Sequence, residues 1–181
     1  LLHSKIKPLA LKRGGLELTK TVNSLEVLEN QTVFSISKLP DRPGIAAQIF
    51  ETLSEASINV DLIIQATHDG NSNDITFTVN EIDLTKTIEQ CKLITKQLGG
   101  EYNFTTNMTK LSIQGAGIMG RPSVSADLFD TLSEANINVR LIATSEIKVS
   151  CVIEINNLQK AVRFIAEKFK LSDTQIFINP V

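Results

Sequence analysis

The chain has 181 residues, of which 42% are apolar and 5% aromatic, and its formal net charge is -2 at neutral pH. This length is enough for one compact domain or for two small domains with real cores. The charge balance excludes a generally basic nucleic-acid binder, and no apolar run approaches the roughly 18 residues of a membrane span. Neither a nucleic acid nor a membrane is therefore an expected partner. Two cysteines are too few for a disulfide framework, which favours a reducing compartment.

The first 28 residues are interpreted as a linker or as the end of a preceding domain. Since the sequence begins with Leu1, we expect it to be a piece of a longer chain. After this segment, period-two alternation predicts strands and apolar residues at helical spacing predict helices. In chain order, the predicted elements are a strand over 32–37, a helix over 45–56, strands over 58–66 and 75–79, a helix over 84–98 and a strand over 102–108.

Residues 42–63 and 121–142 are copies of one another at an offset of 79 residues, with 14 of 22 positions identical. A solenoid needs more copies than two. Two units of nearly 80 residues each, the length set by the offset, instead suit two small domains of one fold. The predicted elements of the second copy are a strand over 111–114, a helix over 124–135, strands over 137–143 and 148–155, a helix over 158–169 and a strand over 175–178.

Each copy has the element order βαββαβ, which is the split βαβ pattern of ferredoxin-like folds. We therefore predict an α+β fold of two tandem ferredoxin-like domains, over 29–108 and 109–181, each an antiparallel sheet with its helices on one face. The other face of each sheet is uncovered within a single unit, and the strand over 58–66 is apolar on both sides. For this reason we expect the chain to associate with itself.

The loop Gly115-Ala-Gly-Ile-Met-Gly120 fits the G-x-G-x-x-G pattern of dinucleotide-binding turns. The corresponding loop of the first copy has no such glycines, and the following strands form a hairpin without the crossover helix that a parallel sheet needs. A tight turn from strand to helix is the favoured interpretation. A nucleotide-binding oxidoreductase fragment is the alternative, and titration with NAD distinguishes the two.

No set of residues predicts a catalytic centre or a metal site in this chain. Cys91 lies on the apolar stripe of a predicted helix and Cys151 lies in an apolar strand, so both are predicted core residues. His3 and His68 are remote in sequence from the cysteines and are predicted at the surface. We expect no catalytic residue, no metal and no cofactor here.

In both copies a loop enters the N-terminus of a helix, where free N–H groups and the helix dipole favour an anion such as an α-carboxylate. Carboxylate and amide side chains nearby suit an ammonium group. The candidates are Asp41, Asn59, Asp61 and Gln65 in the first copy and Arg121, Ser125, Asn138 and Ser145 in the second. The alternative is that Asp41, Asn59 and Asn138 only cap helices or turns.

Five stretches of the sequence resemble the tandem ACT domains of aspartate kinases. Residues 35–47, 58–65 and 74–79 resemble the first ACT domain of that family. Residues 110–119 and 137–153 resemble the second, and the run Thr-Ser-Glu-Ile-Lys-Val-Ser over 144–150 is the most specific part. The likeness covers 22–178.

The resemblance implies a regulatory region, or a separate regulatory subunit, that binds lysine or threonine and inhibits phosphorylation of aspartate. It implies a homodimer whose ACT units pair, with effectors at the interfaces, and a kinase catalytic domain that would hold ATP and magnesium. It also implies a cytoplasmic or plastid enzyme. The effector-binding residues carried over by position are Asp41, Arg42, Pro43, Gly44, Ile45, Ala46, Asn59, Val60, Asp61 and Gln65 in the first half-site, and Val124, Ser125, Asn138, Val139 and Ser145 in the second.

Two positions of the second copy depart from the family pattern. Ser123 stands where the family usually has Gly, and Ala143 stands where it often has Ser. The copies also differ at Asp61 and Arg140, which suggests two sites that are not equivalent. A lysine ammonium is expected to prefer the side of Asp61. A dimerisation module without a ligand is a further alternative.

Overall fold

The computed structural model describes residues 21–68, 72–118 and 120–179. The expectations for His3 and for residues 1–20 therefore lie outside the described residues. Seven strands and four α-helices occur in the described part of the chain. They are β1 Ser24–Pro40, α1 Ile45–Glu55, β2 Val60–His68, β3 Ser72–Asn80, α2 Leu84–Leu98, β4 Glu101–Gln114, α3 Pro122–Glu134, β5 Leu141–Thr144, β6 Lys148–Glu154, α4 Leu158–Phe169 and β7 Ile176–Asn179.

One sheet runs through both units, with the strand order β2-β3-β1-β4-β6-β5 and with β7 parallel to β1. The strands β1 and β4 are long and antiparallel, and each belongs to both units. Asn30 in β1 and Asn107 in β4 have left-handed backbone, and the β1–β4 register shifts next to Asn30. These two residues lie next to the predicted boundaries at 28/29 and 108/109. The first unit has the order β4-β1-β3-β2 expected of a ferredoxin-like sheet.

Residues 24–28, which the sequence analysis assigned to a linker, form the beginning of β1 and belong to the sheet of the second unit. They pair with residues 110–114 of β4 on one side and with β7 on the other. Leu25 and Val27 are fully buried there. The alternation that marks this strand is only five residues long, which is why it resembled a linker. The two strands predicted over 102–108 and 111–114 are likewise one continuous strand, β4.

Each unit has its own apolar core between its helices and the sheet. In the first, Phe34 stacks on Phe77 with ring centroids 5.7 Å apart. In the second, Leu25, Ile113 and Leu128 pack together. Cys91 and Cys151 are buried in these two cores, and burial raises the pKa of each thiol to about 12, as expected of core cysteines. None of the described helices has the length and apolar character needed to cross a membrane.

Candidate functional site

The first unit has a cavity of about 340 Å³ between the loop after β1, the start of α1 and the strands β2 and β3. This volume is in the range of about 300–1,000 Å³ typical of small-molecule sites. Seven of the ten residues predicted for the first half-site line it. The lining residues are Asp41, Arg42, Pro43, Gly44, Ile45, Ala46, Gln65, Asn73 and Ile75. We call this space the first cavity.

A bulge in β1 brings the loop to the cavity. Lys38 has left-handed backbone (φ 58°), and its N–H donates to Oδ1 of Asp74 at 3.1 Å. Pairing with β3 then resumes, with Leu39 opposite Asn73 and Pro40 opposite Ser72. The chain leaves the sheet directly afterwards, so the next side chain, that of Asp41, lies beside Asn73.

The helix α1 begins without a side-chain cap. Its N-cap is Gly44, with φ 93°, a backbone conformation that glycine adopts without strain. Asp41 therefore does not cap this helix, contrary to the capping alternative, and the N–H groups of its first turn have no side-chain acceptor. Asp41 and Arg42 give the cavity one carboxylate and one guanidinium. This charge pattern suits a zwitterion.

Asn73 is a lining residue that the sequence analysis missed. Its side chain is almost completely buried, at 4% exposure, and its Nδ2 donates to Oδ1 of Asp41 at 2.8 Å. The signal for it was present in the sequence. Asn73 occupies the inward position of an alternating row that continues with Ile75, Phe77 and Val79. A polar residue in such a row marks either a buried hydrogen bond or a site.

The second unit has a cavity of about 310 Å³ in the corresponding place, which we call the second cavity. Gln65 pairs with Ile75 across the strands at the first cavity, and Thr144 pairs with Val149 in the same way at the second. Here α3 begins with Pro122 and also lacks a side-chain cap. The lining residues are Ile118, Gly120, Arg121, Pro122, Ser125, Thr144, Ser145, Glu146 and Val149.

Three residues predicted for the second half-site do not line the second cavity. Val124 is buried in the core, Val139 packs against that core, and Asn138 is exposed beyond the end of α3. Ser125 and Ser145 do line it. Thr144 and Glu146 were not predicted, although they lie in the run 144–150 that carries the resemblance.

In the first unit, Asn59 and Val60 also lie outside the first cavity, because Asn59 is exposed beyond the end of α1 and Val60 packs against the core. Asp61 forms an ion pair within the chain. The ammonium of Lys110, a side chain only 9% exposed, forms an ion pair with the Asp61 carboxylate. The Asp61 carboxylate, which was expected to attract an effector ammonium, is therefore already paired with the ammonium of Lys110. The carboxylate that lines the cavity is that of Asp41.

The glycine-rich loop is built for packing against the chain and not around a phosphate. A Cβ at Gly115 would lie 2.1 Å from the Thr21 carbonyl oxygen, and one at Gly117 would lie 2.8 Å from the Thr21 Cα. The two glycines thus allow residues 21–22 to pass close to the loop. The strands that follow, β5 and β6, form an antiparallel hairpin. Met119 of this loop lies outside the described residues. Within those residues, no group of three or more His, Cys, Asp or Glu side chains is placed to hold a metal ion.

Models of the ACT domain family match both units, over residues 32–92 and 111–169. The aspartokinase of Thermus thermophilus is 31% identical over 163 residues, which are 89% of this chain and 40% of that protein. The crystal structure of the ligand-free regulatory subunit of aspartate kinase from Thermus thermophilus is 30% identical, with a TM-score of 0.77. The match covers 83% of this chain and 99% of that subunit.

The crystal structure of aspartate kinase from Synechocystis is 34% identical, with a TM-score of 0.83 over 92% of this chain and 29% of that one. The fold, the paired cavities and the family matches define a tandem ACT-domain regulatory region. The chain belongs to the aspartokinase family and corresponds to its regulatory ACT domains. It spans less than half the length of the curated aspartokinase that it matches.

Proposed function

We propose that the two ACT domains bind an end-product amino acid, lysine or threonine, and transmit its binding to an aspartate kinase catalytic domain as feedback inhibition. The observation that carries this proposal is the pair of equivalent cavities, each at the uncapped N-terminus of a helix. N–H groups at such a helix end favour a carboxylate, and side-chain acceptors at the first cavity suit an ammonium. Free amino acids carry both groups.

The chain performs no reaction in this proposal. ATP and magnesium belong to the kinase domain, and this chain takes no cofactor of its own. The proposal applies both to a kinase domain in the same chain and to one in a separate subunit. The chain matches a whole regulatory subunit of one relative and part of the longer kinase chain of another. The proposed location is the cytoplasm or a plastid.

The proposed assembly is a homodimer in which ACT units pair through their edge strands. In the described sheet, β2 and β5 are the outer strands of the main strand order, and each pairs on one side only. Each exposes an isoleucine at the same repeat position, Ile63 at 53% and Ile142 at 47%. A second copy would cover these side chains. It would also bring residues 59–61 and 138–139 towards the effector sites, the positions that a single chain leaves outside its cavities.

Regulation follows from differential affinity. An effector that binds one arrangement of the paired ACT domains more tightly than another shifts the population towards that arrangement. Couplings of this kind are typically about 1–3 kcal/mol. The extent of inhibition depends on how much less tightly the active arrangement binds the effector than the inactive one does. The ACT domains then act as a sensor whose output depends on the attached or partner kinase.

Isothermal titration calorimetry with L-lysine and L-threonine tests the proposal. We expect at least one of them to bind and to raise the melting temperature in step with its concentration. Gln65→Ala should weaken binding at the first cavity, and Ser145→Phe should obstruct the second. Both side chains are exposed, so the fold should be retained. A dimer that binds neither amino acid would instead support the dimerisation module without a ligand.

A further inference from the structure

Resting on the proposed function, we propose that Asn73 selects the ligand of the first cavity: its Oδ1 accepts a hydrogen bond from the ligand's α-ammonium, beside the Asp41 carboxylate. The α-ammonium is the donor that lysine and threonine have in common. The first cavity is thereby specific for amino acids over the acids that lack this group.

The orientation of the Asn73 amide is fixed by chemistry. A carboxylate can only accept, so the group that faces Oδ1 of Asp41 at 2.8 Å must be the NH₂ of the amide. The carbonyl oxygen of Asn73 then points away from Asp41. Among the described residues this oxygen is buried and has no hydrogen-bond partner. An unpartnered buried acceptor costs free energy, and a ligand donor would satisfy it.

The surrounding charges suit an ammonium and not a neutral donor alone. No hydrogen bond from the described residues other than that of Asn73 engages the Asp41 carboxylate, so the cavity contains an anionic acceptor next to the unpartnered carbonyl. Arg42, on the same loop, is available for the ligand carboxylate. An amide and a carboxylate that are already hydrogen-bonded to one another are pre-organised, so little conformational entropy remains to be lost on binding.

The second cavity provides the matched control. Ile75 and Val149 occupy equivalent lining positions. Asn73 lies two residues before Ile75, so its counterpart in the second unit is Ile147, two residues before Val149. Ile147 is 55% exposed and does not line the second cavity. The position of Asp41 is taken by Gly120. The second cavity therefore has neither member of the Asp41–Asn73 pair.

The test is calorimetry on the full chain with two probe pairs: L-lysine against 6-aminohexanoate, and L-threonine against 3-hydroxybutanoate. For whichever amino acid binds, the wild-type chain should bind it at least tenfold more tightly than its deamino analogue. Asn73→Leu should lower affinity for the amino acid about tenfold, the size expected for one hydrogen bond to a charged group, and leave the analogue within twofold. Ile147→Asn should leave both affinities unchanged.

The outcomes separate this inference from the proposed function. If the wild-type chain binds neither amino acid, the proposed function fails and the role of Asn73 fails with it. If it binds one but discriminates against the analogue less than twofold, only the role of Asn73 is overturned, and this measurement needs no variant. Asn73→Ala replaces Asn73→Leu if the latter lowers the melting temperature strongly. Variants that alter self-association but keep ligand affinity would assign the carbonyl to the interface and would also overturn the inference.

Discussion

The two cavities share a scaffold and differ in their chemistry. Both lie between a loop, an uncapped helix and a strand hairpin, and the cross-strand pairs Gln65–Ile75 and Thr144–Val149 occupy the same places. The first contains the exposed Asp41 carboxylate, which accepts a hydrogen bond from the buried Asn73 side chain. The second contains Glu146 and three hydroxyl side chains, those of Ser125, Thr144 and Ser145. Duplication has kept the elements that make the cavity and changed the side chains that would contact a ligand.

One backbone difference shows how a single residue reshapes the cavity. Gly44 has φ 93° and delays the start of α1 to Ile45. Its counterpart Ser123 lies within α3, which begins at Pro122 and is 13 residues long against 11 for α1. Both helices end at equivalent glutamates. The difference is therefore confined to the N-terminal turn, the part of each helix that faces its cavity.

The largest expected effect concerns the loop behind the second cavity, which residues 21–22 pack against. Gly115→Ala should lower the free energy of unfolding by about 3 kcal/mol, because the new methyl would overlap the Thr21 carbonyl oxygen and force the loop apart. Urea denaturation measures this. The control is Ala116→Ser at the exposed neighbouring position, which should change stability by less than about 0.5 kcal/mol. Equal stabilities for the two variants would show that this packing is not needed.

The second prediction uses the single carboxylate of each described cavity lining. Asp41→Asn should weaken effector binding about tenfold, or about 1.4 kcal/mol, because the ammonium loses its charged partner while the hydrogen bond to Asn73 is kept. Glu146→Gln is the matched change at the second cavity. If calorimetry shows the larger loss for Glu146→Gln, the second cavity is the main site and the comparison is reversed.

The fold was largely predictable from the sequence, and the exceptions have a common physical cause. The repeat and the apolar periodicity gave both ferredoxin-like units, and α2 and α4 have the predicted bounds. Residues 24–28 escaped because a five-residue alternation carries little information until its partners β4 and β7 are known. Long-range pairing, not local propensity, makes that segment a strand.

The site was predictable where it depends on the loops and not where it depends on strand register. The loop 41–46 was predicted because residues 35–47 resemble the corresponding stretch of the first ACT domain of aspartate kinases. The approach of Asn73 to Asp41 needs the bulge at Lys38 and the register of β1 with β3. The pairing of Asp61 with Lys110 joins residues 49 positions apart on different units, so no local pattern could reveal it.

A third prediction concerns the turn that distinguishes the two helices. Gly44→Ala should destabilise the chain by about 1 kcal/mol, since an L-residue is strained at φ 93° although its Cβ would have space. Ser123→Gly should cost only about 0.5 kcal/mol, through lower helix propensity at a position that is already helical. Denaturant melts of both variants test this. A larger loss for Ser123→Gly would mean that the two loops do not differ as described.

The smallest expected effect comes from comparing two ion pairs, the partly buried Glu26–Lys148 pair in the second unit and the exposed Lys38–Glu101 pair in the first. A hydrogen bond from Lys148, helped by its charge and by Lys110 and Gln114, holds the pKa of Glu26 below its ordinary value of 4.5 against the opposing effect of partial burial. A lowered folded-state pKa contributes stability that is present above pH 4.5 and is lost as the pH falls through the folded-state pKa. Lys148→Met should therefore lower the free energy of unfolding by roughly 0.5 kcal/mol at pH 7 and should have no effect once Glu26 is protonated.

The control is Lys38→Met, which removes the exposed pair with Glu101 and should show no resolvable loss of stability in urea titrations at pH 7. Glu26 lies on the segment of β1 that joins the second unit. A pH-independent loss in Lys148→Met would mean that Lys148 stabilises this strand by its packing and not by its ion pair with Glu26.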